Sequence, residues 1–293
     1  METEWINQLR SRSGSELLGD DAAVLGETLV TVDMLTEGID FRLDEVDPQW
    51  VGRKALAVNL SDIAAMGGIP VSIFVAVALP RAKGIRLAEQ LYNGMEPLIR
   101  KYSLKLAGGD TNCWDNGLVI SITVLGRVSP RGVLRRSGAK LGDRVLVTGQ
   151  LGGSILKHQF RFEPRVREAF YLNEHFNLHA AIDISDGFSL DLHRLSVESG
   201  LGATLFEELI PVSPDAVRLS RQTGQKPLDH ALSDGEDFEL LLAMPPEEAE
   251  KLLELQPLRR RFGVTLYPVA ELTTEPGLRF HNGTPLTPKG FEH

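Results

Sequence analysis

Cysteine is almost missing from this chain: Cys113 stands alone among 293 residues. That excludes an internal disulfide and a thiolate metal cluster, and it fits a reducing compartment. Long apolar runs are missing too. The longest, residues 71–79, is strand-length and falls far short of the ~20 residues that span a bilayer. Residues 1–20 are charged and hold no signal-peptide core, so the expectation is a cytoplasmic protein without a membrane anchor. Positive charge is in deficit, with 31 Lys and Arg against 40 Asp and Glu, a net charge of −9. Such a surface repels a phosphodiester backbone, which argues against nucleic acid as a partner.

The familiar catalytic signatures are absent as well. No Gly-x4-Gly-Lys-Ser/Thr occurs, so a P-loop ATPase is not supported. Gly200-Leu201-Gly202 stops short of a dinucleotide fingerprint. His175 and His179 stand four apart without a third ligand, and a solvated helix face explains them better than zinc. Ser185 lies in Asp-Ile-Ser-Asp-Gly, which is not a hydrolase elbow. No internal repeat is visible.

What is present is an α/β alternation. Strands are expected at 28–35, 71–79, 118–128, 144–148, 180–184 and 238–244, and helices at 52–66, 85–102 and 188–199. Residues 158–175, rich in Arg and Phe, read as a surface helix. The Gly-, Arg- and Lys-dense loop 129–142 separates the halves, giving domains 1–137 and 138–293.

Aspartate sits in unusual company. Asp20 and Asp21 follow Gly19, Asp33 ends an apolar run, and Asp62 shares a helix face with Asn59 among Ala, Leu and Ile. Asp110 follows Gly108-Gly109, and Asp183 and Asp186 bracket Ile184-Ser185. Each alone has a structural explanation: a turn, a helix cap, or for Asp62 a pairing with Arg53 or Lys54. Together they are better explained as an all-oxygen site for a hard cation, Mg²⁺ above all where phosphates complete the shell. Glycine-rich turns at 107–109, 148–153 and 233–237 could cradle phosphate through their amides. Arg135, Arg136 and Lys140 could grip one, although a solvated linker explains that loop as well.

Six ordered segments go further: Gly19-Asp20-Asp21, Lys54 through Gly67, Gly108-Gly109-Asp110-Thr111, Arg136 through Lys140, Ala181 through Gly187, and Ser233 through Leu240. Together they resemble the thiamine-monophosphate kinase family of the aminoimidazole-ribonucleotide-synthetase-like ATP-binding superfamily. The resemblance implies two α/β domains, the N-terminal one forming a homodimer interface with ATP bound in the cleft there. It implies ATP and thiamine monophosphate as substrates and thiamine diphosphate as product. Asp21, Thr31, Val32 (through its carbonyl), Asp33, Asp62, Asp110, Asp183 and Asp186 would hold several Mg²⁺ ions. Gly109, Asp110, Arg136 and Ser185 would contact ATP; Asp40, Glu236 and Phe291 would line the thiamine monophosphate site. No general base is expected, because the acceptor is already an anionic phosphate oxygen. The sequence departs from the family's pattern at Val32, Asp40 and Asp234, the last adding charge beside the substrate residues. Another superfamily enzyme with a different acceptor, a phosphohydrolase, or a non-catalytic Mg-nucleotide-binding protein stay open as alternatives.

Overall fold

The computed structural model describes residues 2–15 and 17–291. Its first half runs α1 (Glu2–Ser13), β1 (Ala23–Leu25), β2 (Thr28–Thr36), α2 (Pro48–Ala65), β3 (Ile69–Pro80), α3 (Gly84–Tyr102), β4 (Lys105–Trp114) and β5 (Val119–Arg127). Among the described residues these strands form one sheet in the order β1-β2-β5-β3-β4, antiparallel except for the parallel β3–β4 pair. Ile120, Ile122 and Val124 alternate along β5 and are fully buried, the period-2 signature of a sheet with one covered face. Val32, Met34, Phe74, Leu106 and Trp114 remain exposed, and β4 is exposed along its whole length.

The second half runs β6 (Arg144–Thr148), α4 (Val166–His175), β7 (Ala180–Asp183), α5 (Phe188–Glu198), β8 (Gly202–Leu205), α6 (Pro214–Thr223) and α7 (Pro227–Ser233). It ends with β9 (Leu240–Met244), α8 (Pro246–Leu255), α9 (Pro257–Phe262), β10 (Leu266–Thr273), β11 (Leu278–Phe280) and β12 (Pro285–Leu286). The sheet order is β12-β11-β8-β10-β6-β9-β7. Its central strands are apolar on both faces, and the side-chain alternation sorts them between two cores. Leu240, Leu242 and Met244 of β9 join a core that also contains α2 and the first sheet. Leu241 and Ala243 join a second core with Leu192 and Leu195 of α5.

Helix α2 ties the halves together. It packs on β2 and β5 of one sheet, on β7 of the other, and on α3 and α4. Between Val51 and Ala65 every residue is buried except Arg53 and Asp62, which are partly buried, so this helix is covered on nearly every side. It starts earlier than the expected residue 52. Asp47 caps it by accepting from the Gln49 amide at 2.9 Å, and Pro48 supplies the pre-set φ of a first helical residue.

The other expected elements agree with the structure within about two residues, with three corrections. Gly108-Gly109 is not a turn but part of β4, where Gly109 faces Val75 of β3 in register. Residues 158–175 are not one surface helix. A short 3-10 turn at His158–Phe160 precedes α4, and Phe160, Phe162, Val166, Ala169 and Leu172 are core residues. His175 and His179 do not share a helix face: His175 ends α4, whereas His179 lies beyond it with Nδ1 2.8 Å from Asp143 Oδ2.

The α2–α3 crossing is unusually close. A Cβ on Gly52 would lie 2.1 Å from the Leu91 carbonyl oxygen, and one on Gly94 would lie 1.7 Å from that of Gln49. Gly52→Ala is therefore expected to destabilise the protein by about 2–3 kcal/mol, an overpacking cost. Urea titration checks this: the midpoint should fall at unchanged slope, and a parental midpoint would show that the helices can move apart freely.

Candidate functional site

Three acidic side chains from distant parts of the chain converge where α2 meets both sheets. Asp21 comes from the loop before β1, Asp62 from α2 and Asp183 from the end of β7. One carboxylate oxygen from each lies within 4.8 Å of the other two. Every member has a partner that fixes it. Arg136 donates to Asp21 Oδ1 from Nη2 at 2.5 Å and from Nε at 3.1 Å. The Thr31 hydroxyl donates to Asp62, and the Ser61 hydroxyl donates to Asp183 Oδ2 at 2.6 Å.

Electrostatically the cluster is under stress. Burial pushes the Asp62 carboxyl well above the ordinary carboxylate range, and the charges of Asp33, Asp183 and Asp21 push it further. Burial likewise raises Asp183 well above that range, with Asp21 adding to it. Asp21 is raised by burial against the opposing pull of Arg136. Its Oδ2 is buried without a hydrogen-bond partner. Crowded carboxylates with an orphaned oxygen, all hard donors, fit a divalent cation that takes oxygen ligands.

The loop from Asp183 to Asp186 joins this cluster to the other expected residues. The Ser185 carbonyl accepts from the Glu236 amide at 2.7 Å, and the Asp186 carbonyl accepts from the Phe291 amide at 2.8 Å. Glu236 Oε1 lies 2.5 Å from Lys54 Nζ, which also donates to the Asp40 carbonyl oxygen at 3.2 Å. The Asp40 carboxylate accepts from the Thr36 amide at 2.6 Å. Cluster, Glu236, Asp40 and Phe291 thus belong to one connected network.

Other expected residues stand differently. Asp33 follows Thr31 on the same face of β2 and adds its charge at Asp62, whereas the Val32 side chain points to the open face and is 62% exposed. The Asp186 carboxylate pairs with Arg194. Gly109 and Asp110 lie on β4, which β5 and β3 separate from β2, a span of about 14 Å at ordinary strand spacing. Within one chain they do not reach the cluster. Neither Arg53 nor Lys54 pairs with Asp62: Arg53 turns to Glu163 and Lys54 to Glu236.

Two of the glycine amides expected to cradle phosphate are already occupied by carboxylates. The Gly152 amide donates to Asp237 Oδ1 and that of Gly153 to Asp234 Oδ2, each at 2.8 Å. Asp234 also lies 2.8 Å from His230 Nδ1 at the end of α7. Arg135 and Arg136 are held by Asp20 and Asp21.

Two groups escaped sequence reasoning. Asp191, fully buried, accepts from the Asp186 and Gly187 amides at 3.0 Å and from Arg194 at 2.8 Å. Burial and the neighbouring Asp186 push its carboxyl up to about 7. Lys54 is the other. Its only sequence signal is a cation amid the apolar run of α2. A cavity of about 490 Å³ is lined by Gly149, Gly152 and Asp237 of the two glycine-rich turns, with Arg165 and Glu239, but by none of the residues expected to bind metal, ATP or thiamine monophosphate.

Residues 19–128 match the N-terminal domain of AIR synthase related proteins, and residues 128–281 match the C-terminal domain. A thiamine-monophosphate kinase of Rhodopirellula baltica is 42% identical over 266 residues, 85% of this chain and 84% of that protein. The chain belongs to the thiamine-monophosphate kinase family. The family's Bacillus subtilis protein is 33% identical over 80% of this chain and 79% of its own length. The structure of AaThiL complexed with AMPPCP and TMP superposes with a TM-score of 0.86 at 26% identity, covering 100% of this chain and 96% of that one. A HypE–HypF complex, with a TM-score of 0.79 at 18% identity over 96% of this chain and 98% of that one, shares the fold alone. The two-domain α/β expectation and the family resemblance both hold.

Asp237 offers a pH-dependent test of the segment beside Glu236. Burial pushes its carboxyl up to about 8, against the Ser154 hydroxyl and Gly152 amide that donate to it. The folded state therefore keeps a proton that the unfolded chain releases near pH 4, and stability contributed by this group falls as pH rises from about 4 to about 8. Asp237→Asn cannot ionise. Its melting temperature relative to the parent should rise steadily between pH 5 and pH 8; a constant difference would show that Asp237 is ionised in the folded protein throughout.

Proposed function

We propose that this chain is a thiamine-phosphate kinase that moves the γ-phosphoryl group of ATP directly onto the phosphate of thiamine monophosphate. The products are thiamine diphosphate and ADP, and the reaction belongs to the cytoplasm. Support comes from the kinase family to which the chain belongs and from the AMPPCP and TMP held by AaThiL, whose fold it shares over its full length. The observation that carries the proposal is the carboxylate cluster wired through one loop to Glu236 and Phe291.

The chemistry asks little of acid–base catalysis. An acceptor phosphate oxygen is already anionic, so the obstacle is the repulsion between two polyphosphates. Mg²⁺, held by Asp21, Asp62 and Asp183 with Thr31, Val32, Asp33, Asp110 and Asp186 as the further expected ligands, would neutralise that charge. Arg136 keeps Asp21 in place and brings a cation near Asp183; with Ser185 it makes up the expected ATP end. Asp40 and Glu236 form the acceptor end, where Phe291 offers a half-exposed ring for stacking on an aromatic ligand.

Gly109 and Asp110 enter this scheme through a second copy of the chain. β4 has an open edge, and the exposed face of the first sheet carries Val32, Met34 and Phe74. Both features favour a homodimer through that sheet, with each β4 serving a site that its own chain does not complete. Light scattering that returns a single-chain mass would sink this part of the proposal.

The deciding assay supplies ATP, Mg²⁺ and thiamine monophosphate to purified protein and follows thiamine diphosphate by chromatography. Equal amounts of ADP and thiamine diphosphate are expected. ADP formed equally without acceptor would instead favour a phosphohydrolase or another acceptor, and absence of turnover despite nucleotide binding would favour a non-catalytic protein.

The metal assignment has a readout besides activity. Mg²⁺ should raise the melting temperature, and more at pH 8 than at pH 6, because protons compete for carboxylates whose pKa is raised. Asp62→Asn should abolish most of that gain and lower kcat by about a hundredfold or more. A variant that keeps both the gain and the turnover would remove Asp62 from the metal site.

A further inference from the structure

Lys54 is completely buried, yet it carries a charge, and an ammonium in the interior is costly unless its protons are accepted. Here three acceptors surround it. Nζ lies 2.5 Å from Glu236 Oε1, 2.6 Å from Gln159 Oε1 and 3.2 Å from the Asp40 carbonyl oxygen. The ring of Phe160 covers it, with its centroid 5.1 Å away. A lysine ammonium has three donors and no acceptor, so this one is saturated by the protein. It has nothing left with which to touch a ligand.

Those partners sit on separate elements. Asp40 is in the loop after β2, Gln159 in the 3-10 turn before α4, and Glu236 in the segment before β9. That last segment is strained: Glu236 and Phe238 have φ of 54° and 49°, a left-handed conformation that L side chains seldom adopt. Such a backbone holds its shape only where its surroundings insist. The Glu236 amide is fixed by the Ser185 carbonyl, and the Phe238 ring is stacked on Phe162 with centroids 4.2 Å apart. The Glu236 carboxylate is fixed by Lys54, with 35% of the side chain left exposed.

Stability alone does not favour lysine here, because a methionine of similar volume would fill the same space without a desolvation cost. We infer that Lys54 is a positioning residue for the acceptor: it aims Glu236 and the Asp40 loop at the substrate and sets affinity for the phosphorylated acceptor, not for ATP. This rests on the assignment of Asp40 and Glu236 to the acceptor end made above. Lys54 acts through them and takes no part in bond making.

The test is a double-mutant cycle of Lys54→Met and Glu236→Gln, with kcat and both KM values measured and folding checked by thermal melting. In the parent background Lys54→Met should raise KM for thiamine monophosphate on the order of tenfold and leave KM for ATP within about twofold, the size of a lost charge-assisted hydrogen bond. In the Glu236→Gln background the same change should add less than about twofold, since coupled residues are not additive. An equal factor in both backgrounds, or an equal rise in KM for ATP, would overturn the proposal and leave Lys54 a structural residue. Should Lys54→Met not fold, Gln159→Met removes one acceptor of the ammonium. It should raise acceptor KM a few-fold, again only where Glu236 is intact; no change, or a rise independent of Glu236, would overturn the proposal. Failure of the parent to make thiamine diphosphate would bring down the functional assignment, and this inference with it. Parental turnover with an unmoved acceptor KM in the variants would bring down this inference alone.

Discussion

Like charges held close together in a low-dielectric place repel, and everything around Asp21, Asp62 and Asp183 serves to hold them there. Each is delivered by a different element, so none could be brought to the others by local structure. The loop before β1, helix α2 and the end of β7 meet only because α2 is clasped by both sheets. Thr31, Ser61 and Arg136 then each restrain one carboxylate. The close α2–α3 crossing at Gly52 and Gly94 belongs to the same device, since it sets how deep α2 lies and therefore where Asp62 projects.

Aspartate in this chain does two different jobs. Some carboxylates stand in for backbone acceptors: Asp237 and Asp234 take the Gly152 and Gly153 amides, Asp191 takes those of Asp186 and Gly187, and Asp20 takes that of Arg136. These fix the loops that frame the site. The clustered ones are held by side chains instead, and Asp21 keeps one buried oxygen, Oδ2, without a hydrogen-bond partner. Abundance of acid over base therefore reflects loop architecture as well as the cluster.

This division explains what could be read from the residues and what could not. Periodic segments were legible: β5, α3, β6 and α5 all follow from alternation or helical spacing. β4 was not, because an exposed strand shows no apolar alternation and Gly108-Gly109 imitates a turn. Asp62 was legible as an anomaly on an apolar face, but its neighbours were not, since Asp21 and Asp183 reach it only through tertiary packing. Asp234 looked like a stray charge near the substrate residues, and its pairing with His230 depends on α7 ending where it does. Lys54 could be offered only as one of two possible partners for Asp62, because nothing local reveals that its partner is Glu236, far along the chain.

The regions at residues 19–128 and 128–281 match two distinct domains. Their apolar interior does not respect that line. Ala181, Leu240 and Leu242 of one sheet share a continuous core with Leu56, Leu60 and Ile122 of the other half. Cutting the chain near residue 128 would lay open a large oily surface on both pieces. Neither half therefore buries its apolar surface without the other, and a change to this shared core in one sheet is felt in both.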